Sequence, residues 1–257
     1  MRYYLTTIFN LIIFLQANAE CGSSGISVYP SKGEINKNGI IVIEGYSMSQ
    51  PIIDSLNTKY PVYLESEGHK VRLRVLETLY GMYSLTQAVL KPEQELQVGK
   101  TYRLVIENRR EIWLSGPLTR WNSETRKSEP IAWGVKNHVD KKPPVWRTLP
   151  RLVGKSVEYY GCGPEANAIF SLDIIGEGTL IRTEFVNLKT KKVRTYLLKK
   201  EHDGQLYVGH GMCSGAFSYT KEGKYKVRFR LMDMSGNMSE NWTAWTTYDS
   251  PYRDSGD

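Results

Sequence analysis

An all-β fold of two consecutive β-sandwich domains is what this 257-residue sequence predicts. Three observations carry the prediction. From Tyr225 to Leu231 the residues alternate strictly, with Tyr225, Val227, Phe229 and Leu231 apolar and Lys226, Arg228 and Arg230 charged. That is the period of a strand with one buried and one wetted face. Gly and Pro punctuate short apolar runs along the chain, while the 3.6-residue period of an amphipathic helix is scarce. The start of the alternating strand is also echoed upstream: Gly99-Lys-Thr-Tyr102-x-Leu-x-Ile matches Gly223-Lys-Tyr225-x-Val-x-Phe. Each copy is followed by an Ala-Trp pair, ending at Trp133 and at Trp245. Two copies of related architecture are the simplest source of such an echo.

Ahead of both copies, residues 1–19 read as a cleaved signal peptide, with Arg2 near the start, an apolar run from Leu5 to Leu15 and an Ala17-Asn18-Ala19 cleavage site. The apolar run is well short of the roughly 18–20 residues that span a bilayer, and no later run reaches that length. Glu20 before Cys21 argues against lipid attachment, where a small residue is wanted. The expected location is therefore secreted or periplasmic, with no membrane span after cleavage. Net charge is +7, and it is concentrated: between Lys100 and Lys155 there are 13 Lys or Arg against 5 Asp or Glu. A basic middle attracts anionic polysaccharide, lipid headgroups or nucleic acid, or simply solvates strand faces and a linker. Export and the absence of a nucleic-acid motif turn the expectation away from nucleic acid.

The first domain is expected over residues 20–141. Tyr29-Pro-Ser-Lys-Gly33 turns toward the β-branched run Ile40 to Ile43, a strand start. His69 to Val75 alternates Val71, Leu73 and Val75 with Lys70, Arg72 and Arg74, a strand with one solvated face. A Leu90-Lys-Pro92 turn, a Gly turn at Gly99 and the strand led by Tyr102 follow. From Tyr102 to Trp133 is 31 residues, against 20 from Tyr225 to Trp245, so Asn108 to Pro130 is a lengthened hairpin or loop. Asp140-Lys-Lys-Pro-Pro144 is the expected spacer, since consecutive prolines stay extended. The second domain, residues 142–251, is given strands at Ala168–Ile174, Leu180–Val186, Val193–Leu198, Leu206–Val208 and Ala216–Tyr219, then the alternating hairpin. In its turn, Asp233 is placed to accept backbone N–H groups and Gly236 to take positive φ. Trp242 and Trp245 on the return strand are expected to close the core, and residues 252–257 form a polar tail.

A Gly-x-Tyr strand, then Asp233-Met-Ser-Gly-Asn-Met-Ser239, then a Trp-bearing final segment resembles the last hairpin of bacterial immunoglobulin-like and fibronectin type III-like modules in exported tandem β-sandwich proteins. The Pro-x-x-Gly opening and the Leu-x-Pro to Tyr102 stretch resemble the same domains. The resemblance implies two tandem Ig-like sandwiches. It also implies a non-enzymatic binding or structural role at the cell envelope or in the extracellular space.

Candidate chemistry is sparse. Cys162 in Gly-Cys-Gly-Pro164 and Cys213 in the Gly-rich Gly209 to Gly215 segment both fall in the second domain, and oxidising conditions favour pairing them. Cys21 is then left to dimerise the chain, to stay free or to compete for either partner. A rival reading makes Cys213 a thiolate nucleophile beside His210, in a thiol-dependent hydrolase, with glycine N–H groups as an oxyanion site. His69, His138, His202 and His210 lack metal-ligand spacing, and no cofactor motif is present, so neither metal nor cofactor is expected. Asn237-Met-Ser239 and Asn241-Trp-Thr243 match the glycosylation pattern, whose meaning depends on the host. Arg109, Arg110, Arg120 and Trp121 in the lengthened region are the candidate ligand-binding residues, toward an anionic polysaccharide or a protein at the cell surface. A carbohydrate-binding module using exposed aromatics is the further alternative.

Overall fold

The computed structural model describes residues 24–31, 33–109, 118–123, 125–176 and 178–253. The signal segment, Cys21, Arg110 and residues 254–257 lie outside the described residues. The fold is all-β, as the sequence predicts. A first group of strands comprises β1 (Gly25–Tyr29), β2 (Glu34–Asn36), β3 (Ile41–Tyr46), β4 (Val62–Ser66), β5 (His69–Tyr80), β6 (Leu85–Pro92) and β7 (Thr101–Ile106). The ribbon strands β8 (Thr119–Asn122) and β9 (Lys127–Pro130) precede β10 (Ala132–Lys136). Hydrogen bonds link eight of these strands in the order β1-β3-β6-β5-β4-β7-β10-β2. The long β5 makes the wrap possible. Its first residues pair with β4, the rest with β6, and a bulge between Val75 and Glu77 bends it from one layer to the other. Between the layers lies a core that includes Ile41, Ile43, Leu64, Leu73, Tyr102 and Trp133.

The second group forms a sandwich of three strands on four. One sheet is β11 (Val145–Tyr160), β12 (Gly163–Ile175) and β15 (Gln205–His210). The other runs β14 (Val193–Leu198), β13 (Leu180–Asn187), β16 (Lys224–Met232) and β17 (Thr246–Asp249) in spatial order. The alternation in β16 holds: Tyr225, Val227, Phe229 and Leu231 are all buried. Phe170 meets Phe229 edge-on at 5.0 Å across the two sheets, and Phe185 stacks on Phe217 and Tyr225. The outermost strand, β11, is broken by three register shifts and leaves Val145, Leu149, Val153 and Tyr159 exposed.

The echo between Tyr102 and Tyr225 has a shared physical meaning. Each tyrosine is fully buried, and each hydroxyl accepts a hydrogen bond from a backbone N–H five residues earlier, Gln97 at 3.2 Å and Thr220 at 2.7 Å. A strand-leading Tyr tied back to the preceding corner is a hallmark of Ig-like sandwiches. The echo fails at the tryptophans. Trp133 is fully buried and donates to Pro30 O, whereas Trp242 and Trp245 precede β17 and lie half-buried on the outer face of its sheet. They are not core residues as expected, because the charged face of β16 offers cations to stack on. Lys226 lies 4.5 Å from the Trp245 ring, and Arg228 lies 4.6 and 4.7 Å from the rings of Trp245 and Trp242. Arg228 also donates to Glu184 at 2.7 Å. Ala216–Tyr219 is likewise no strand. It crosses the open end of the sandwich as irregular chain, with Phe217 and Tyr219 plugged into the core and the Tyr219 hydroxyl bonded to Val208 O.

The two groups of strands are fused rather than strung together. The second core takes in Ile40, Val42, Leu79 and Val89 from the outer face of the first sheet. Ile40 to Ile43 therefore have both faces covered, which is why this run is apolar without alternation. Polar contacts seal the same junction. The fully buried Gln87 amide brackets the Leu197 backbone, accepting from its N–H and donating to its C=O, both at 3.2 Å. Arg182 donates twice to the Glu77 carboxylate, each time at 2.6 Å. At the other end, the Asp233 turn behaves as expected: Asp233 accepts from Ser235 and Asn237 N–H, and Gly236 has φ +83°. It also holds the first group, through Ile40 N–H to Met234 O at 2.8 Å and Asn36 to Ser235 at 3.1 Å.

Candidate functional site

The lengthened stretch between β7 and β10 carries a two-stranded ribbon, β8 paired with β9. Its turn is set by Asn122 and Thr125, whose side chains donate to the Glu129 carboxylate, and by Arg126 with φ +51°. Alternation along β8 sends Arg120 and Trp121 to opposite faces. Trp121 is 66% exposed, whereas Arg120 donates to Ser31 O. Arg109 turns back, donating through Nε to Ile106 O at 3.1 Å, and burial pushes its guanidinium pKa below the ordinary value. Arg110 lies outside the described residues. Of the four predicted side chains, Trp121 is thus presented to solvent, and Arg109 and Arg120 bond to backbone carbonyls.

The Gly-rich segment is a clasp. Met82 and Tyr83 N–H donate to Ala216 O and Gly215 O, and Gly215 N–H donates to Tyr83 O at 2.7 Å, joining the β5–β6 turn to the second sandwich. His210 is buried, its Nδ1 lies 2.9 Å from Gly211 O, and its ring meets Tyr83 edge-on. Cys162 is a free thiol, so the predicted Cys162–Cys213 pair is not formed. His210, the base of the hydrolase reading, is engaged in the clasp through Gly211 O and the Tyr83 ring. Non-reducing peptide mapping is expected to find Cys162 alkylated in the native protein; a Cys162–Cys213 cross-link would contradict the free thiol seen here.

Among the described residues no cluster of three or more His, Cys, Asp or Glu is placed to hold a metal ion, and no helix is long and apolar enough to cross a membrane. Open aromatic faces are few on the second sandwich. Trp242 and Trp245 each carry a cation over the ring, while Tyr159 is 73% exposed.

No family model matches the chain, and no curated protein does. Solved structures similar to it include a pullulanase from Anoxybacillus sp. LM18-11 complexed with maltotriose, at 10% identity over 83% of this chain and 24% of that one, with a TM-score of 0.24. Tandem Ig repeats of Dlar align at 12% identity over 88% of this chain and 97% of that one, with a TM-score of 0.22. Domains 1–6 of the surface layer protein SbsC align at 11% identity over 88% and 25%, with a TM-score of 0.25. The chain spans about a quarter of the length of the pullulanase it matches. Likeness at this level leaves the architecture to rest on the strand order and the two tyrosine corners. These define the class: an all-β protein of Ig-like sandwiches.

Proposed function

We propose that this chain is an exported, non-enzymatic binding module of the cell envelope or extracellular space, in which a rigid pair of Ig-like sandwiches holds out the β8–β9 ribbon toward an anionic polysaccharide or a surface protein. The observation that carries the reading is Trp121, a large aromatic left 66% exposed on a strand pair braced by its own hydrogen bonds. Exposed aromatics on a firm support lose little freedom on contact, which suits them to recognition. The ribbon belongs to the basic middle of the chain, so an anionic partner gains from charge as well as contact. Export rests on the features of residues 1–19.

Retention on a dextran sulfate column is the test. The wild type is expected to elute late, and the Arg120→Ala/Trp121→Ala double variant to elute early with an unchanged melting curve; equal retention of the two would remove the ribbon from consideration. A neutral-glycan array addresses the carbohydrate-binding alternative, which the same exposed Trp121 favours. Salt-insensitive glycan binding that is lost in Trp121→Ala would select it over the electrostatic reading.

A further inference from the structure

The junction of the two sandwiches holds a half-open cavity of about 130 Å³, lined by Glu44, Glu201, Lys199, Tyr29, Tyr196 and Tyr207 together with aliphatic side chains. It adjoins a wider groove of about 910 Å³ and shares Tyr29, Leu180 and Lys199 with it, so the small cavity has a path to solvent. Glu44 is the residue that needs a reason to be there. A carboxylate withdrawn from water is costly unless both oxygens are satisfied. Its Oε2 accepts from the Tyr196 hydroxyl at 3.0 Å and from the Gln87 amide at 3.1 Å. Its Oε1 has no hydrogen-bond partner among the described residues and is reached by solvent from the cleft. Burial raises the Glu44 pKa, against the opposing pull of Tyr196, Lys199 and Gln87. Lys199 does not close the gap: its ammonium pairs with Glu201 at 3.4 Å.

The lining of the small cavity therefore holds two carboxylates against one ammonium, among three tyrosines, while the groove beside it carries Lys136 and Lys200 against Glu34. Negative charge and aromatic faces together favour a cation. A volume of about 130 Å³ equals that of roughly four waters, enough for an aminoalkyl head. We propose that this cavity is a binding site for a primary ammonium group, which would donate to Glu44 Oε1 while its carrier lies in the adjoining groove. The site is separate from the β8–β9 ribbon, and its success or failure leaves the ribbon's role untouched. A free small amine, a lysine side chain and an amino sugar carrying its amine on a flexible arm share this chemistry.

The experiment is an amide-resolved NMR titration at neutral pH with ethanolamine, N-acetyl-lysine methylamide and aminoethyl glucoside as parallel arms, and ethylene glycol as the uncharged control. Wild-type protein is expected to show saturable shifts at Leu85, Leu197 and Leu198 with at least one amine and none with ethylene glycol. Glu44→Gln keeps an oxygen for Tyr196 and Gln87 but carries no charge, and it should lose the response at least tenfold. Lys199→Met removes the competing internal cation and should tighten amine binding several-fold, a gain that a purely structural role for Glu44 does not produce. No response to any amine, an equal response to ethylene glycol or an undiminished one in Glu44→Gln would each overturn the site. If Glu44→Gln fails to fold, unchanged amine affinity in Lys199→Met overturns it instead.

Discussion

Replacing Phe229 by alanine is expected to loosen both sandwiches together and to cost about 3–5 kcal/mol, the range for deleting a buried aromatic ring. Phe229 is almost fully buried, and its ring closes on Phe170 between the two sheets of the second sandwich. That core is the one into which Ile40, Val42, Leu79 and Val89 are inserted from the first group of strands. A hole there removes support from those four residues as well, so the damage is not confined to residues 145–249. Urea unfolding should remain a single transition at a lower midpoint. Deuterium exchange should quicken in β4 and β7, whose strands lie in the first group. Exchange that rises in the second sandwich alone would show that the two cores unfold separately.

Gly215→Ala should cost about 3 kcal/mol, at the upper end of what overpacking does in a filled site. A Cβ added at Gly215 would stand 2.2 Å from the His210 Cβ and 2.9 Å from Gly209 O, neither of which is the free end of a flexible chain. The segment must move, and the reciprocal bonds with Tyr83 go with it. Because Gln87 and the Arg182–Glu77 pair still hold the far side of the junction, the expected product is a folded protein with one end pried open. Its melting temperature should fall by several degrees, and Met82 and Tyr83 amides should lose protection from exchange. Wild-type protection at those two amides would show that the clasp tolerates the methyl group.

Much of this architecture was legible in the residues. The alternation in β5 and β16 and the Gly-x-Tyr starts needed only period-two patterning and turn chemistry, which act locally. The fusion of the two sandwiches was also written in the chain: Ile40 to Ile43 is apolar four times running, the pattern of a strand covered on both faces. Taken locally, the run predicts only an ordinary strand start, because nothing nearby says what covers the second face. The tryptophans misled for the opposite reason. Size and apolarity sent Trp242 and Trp245 inward, but cations at every second position of β16 gave their rings a partner outside. Ala216–Tyr219 has the side chains of a strand, and its backbone instead bonds to Met82 and to Gly209 O. The candidate site fared unevenly. Exposure of Trp121 follows from its ribbon, whereas the turning of Arg109 toward Ile106 O and the free thiol of Cys162 depend on neighbours remote in sequence. The Glu44 cavity had no local signal, since its lining comes from strands more than a hundred residues apart.

The shared core also decides what can be done with this polypeptide as a set of parts. Severed at the prolines, the front half would bare an oily flank made of Val42, Leu79 and Val89, and it would stick to its own kind instead of standing alone as a bead on a string. Moving either half into another chain would uncover the same flank.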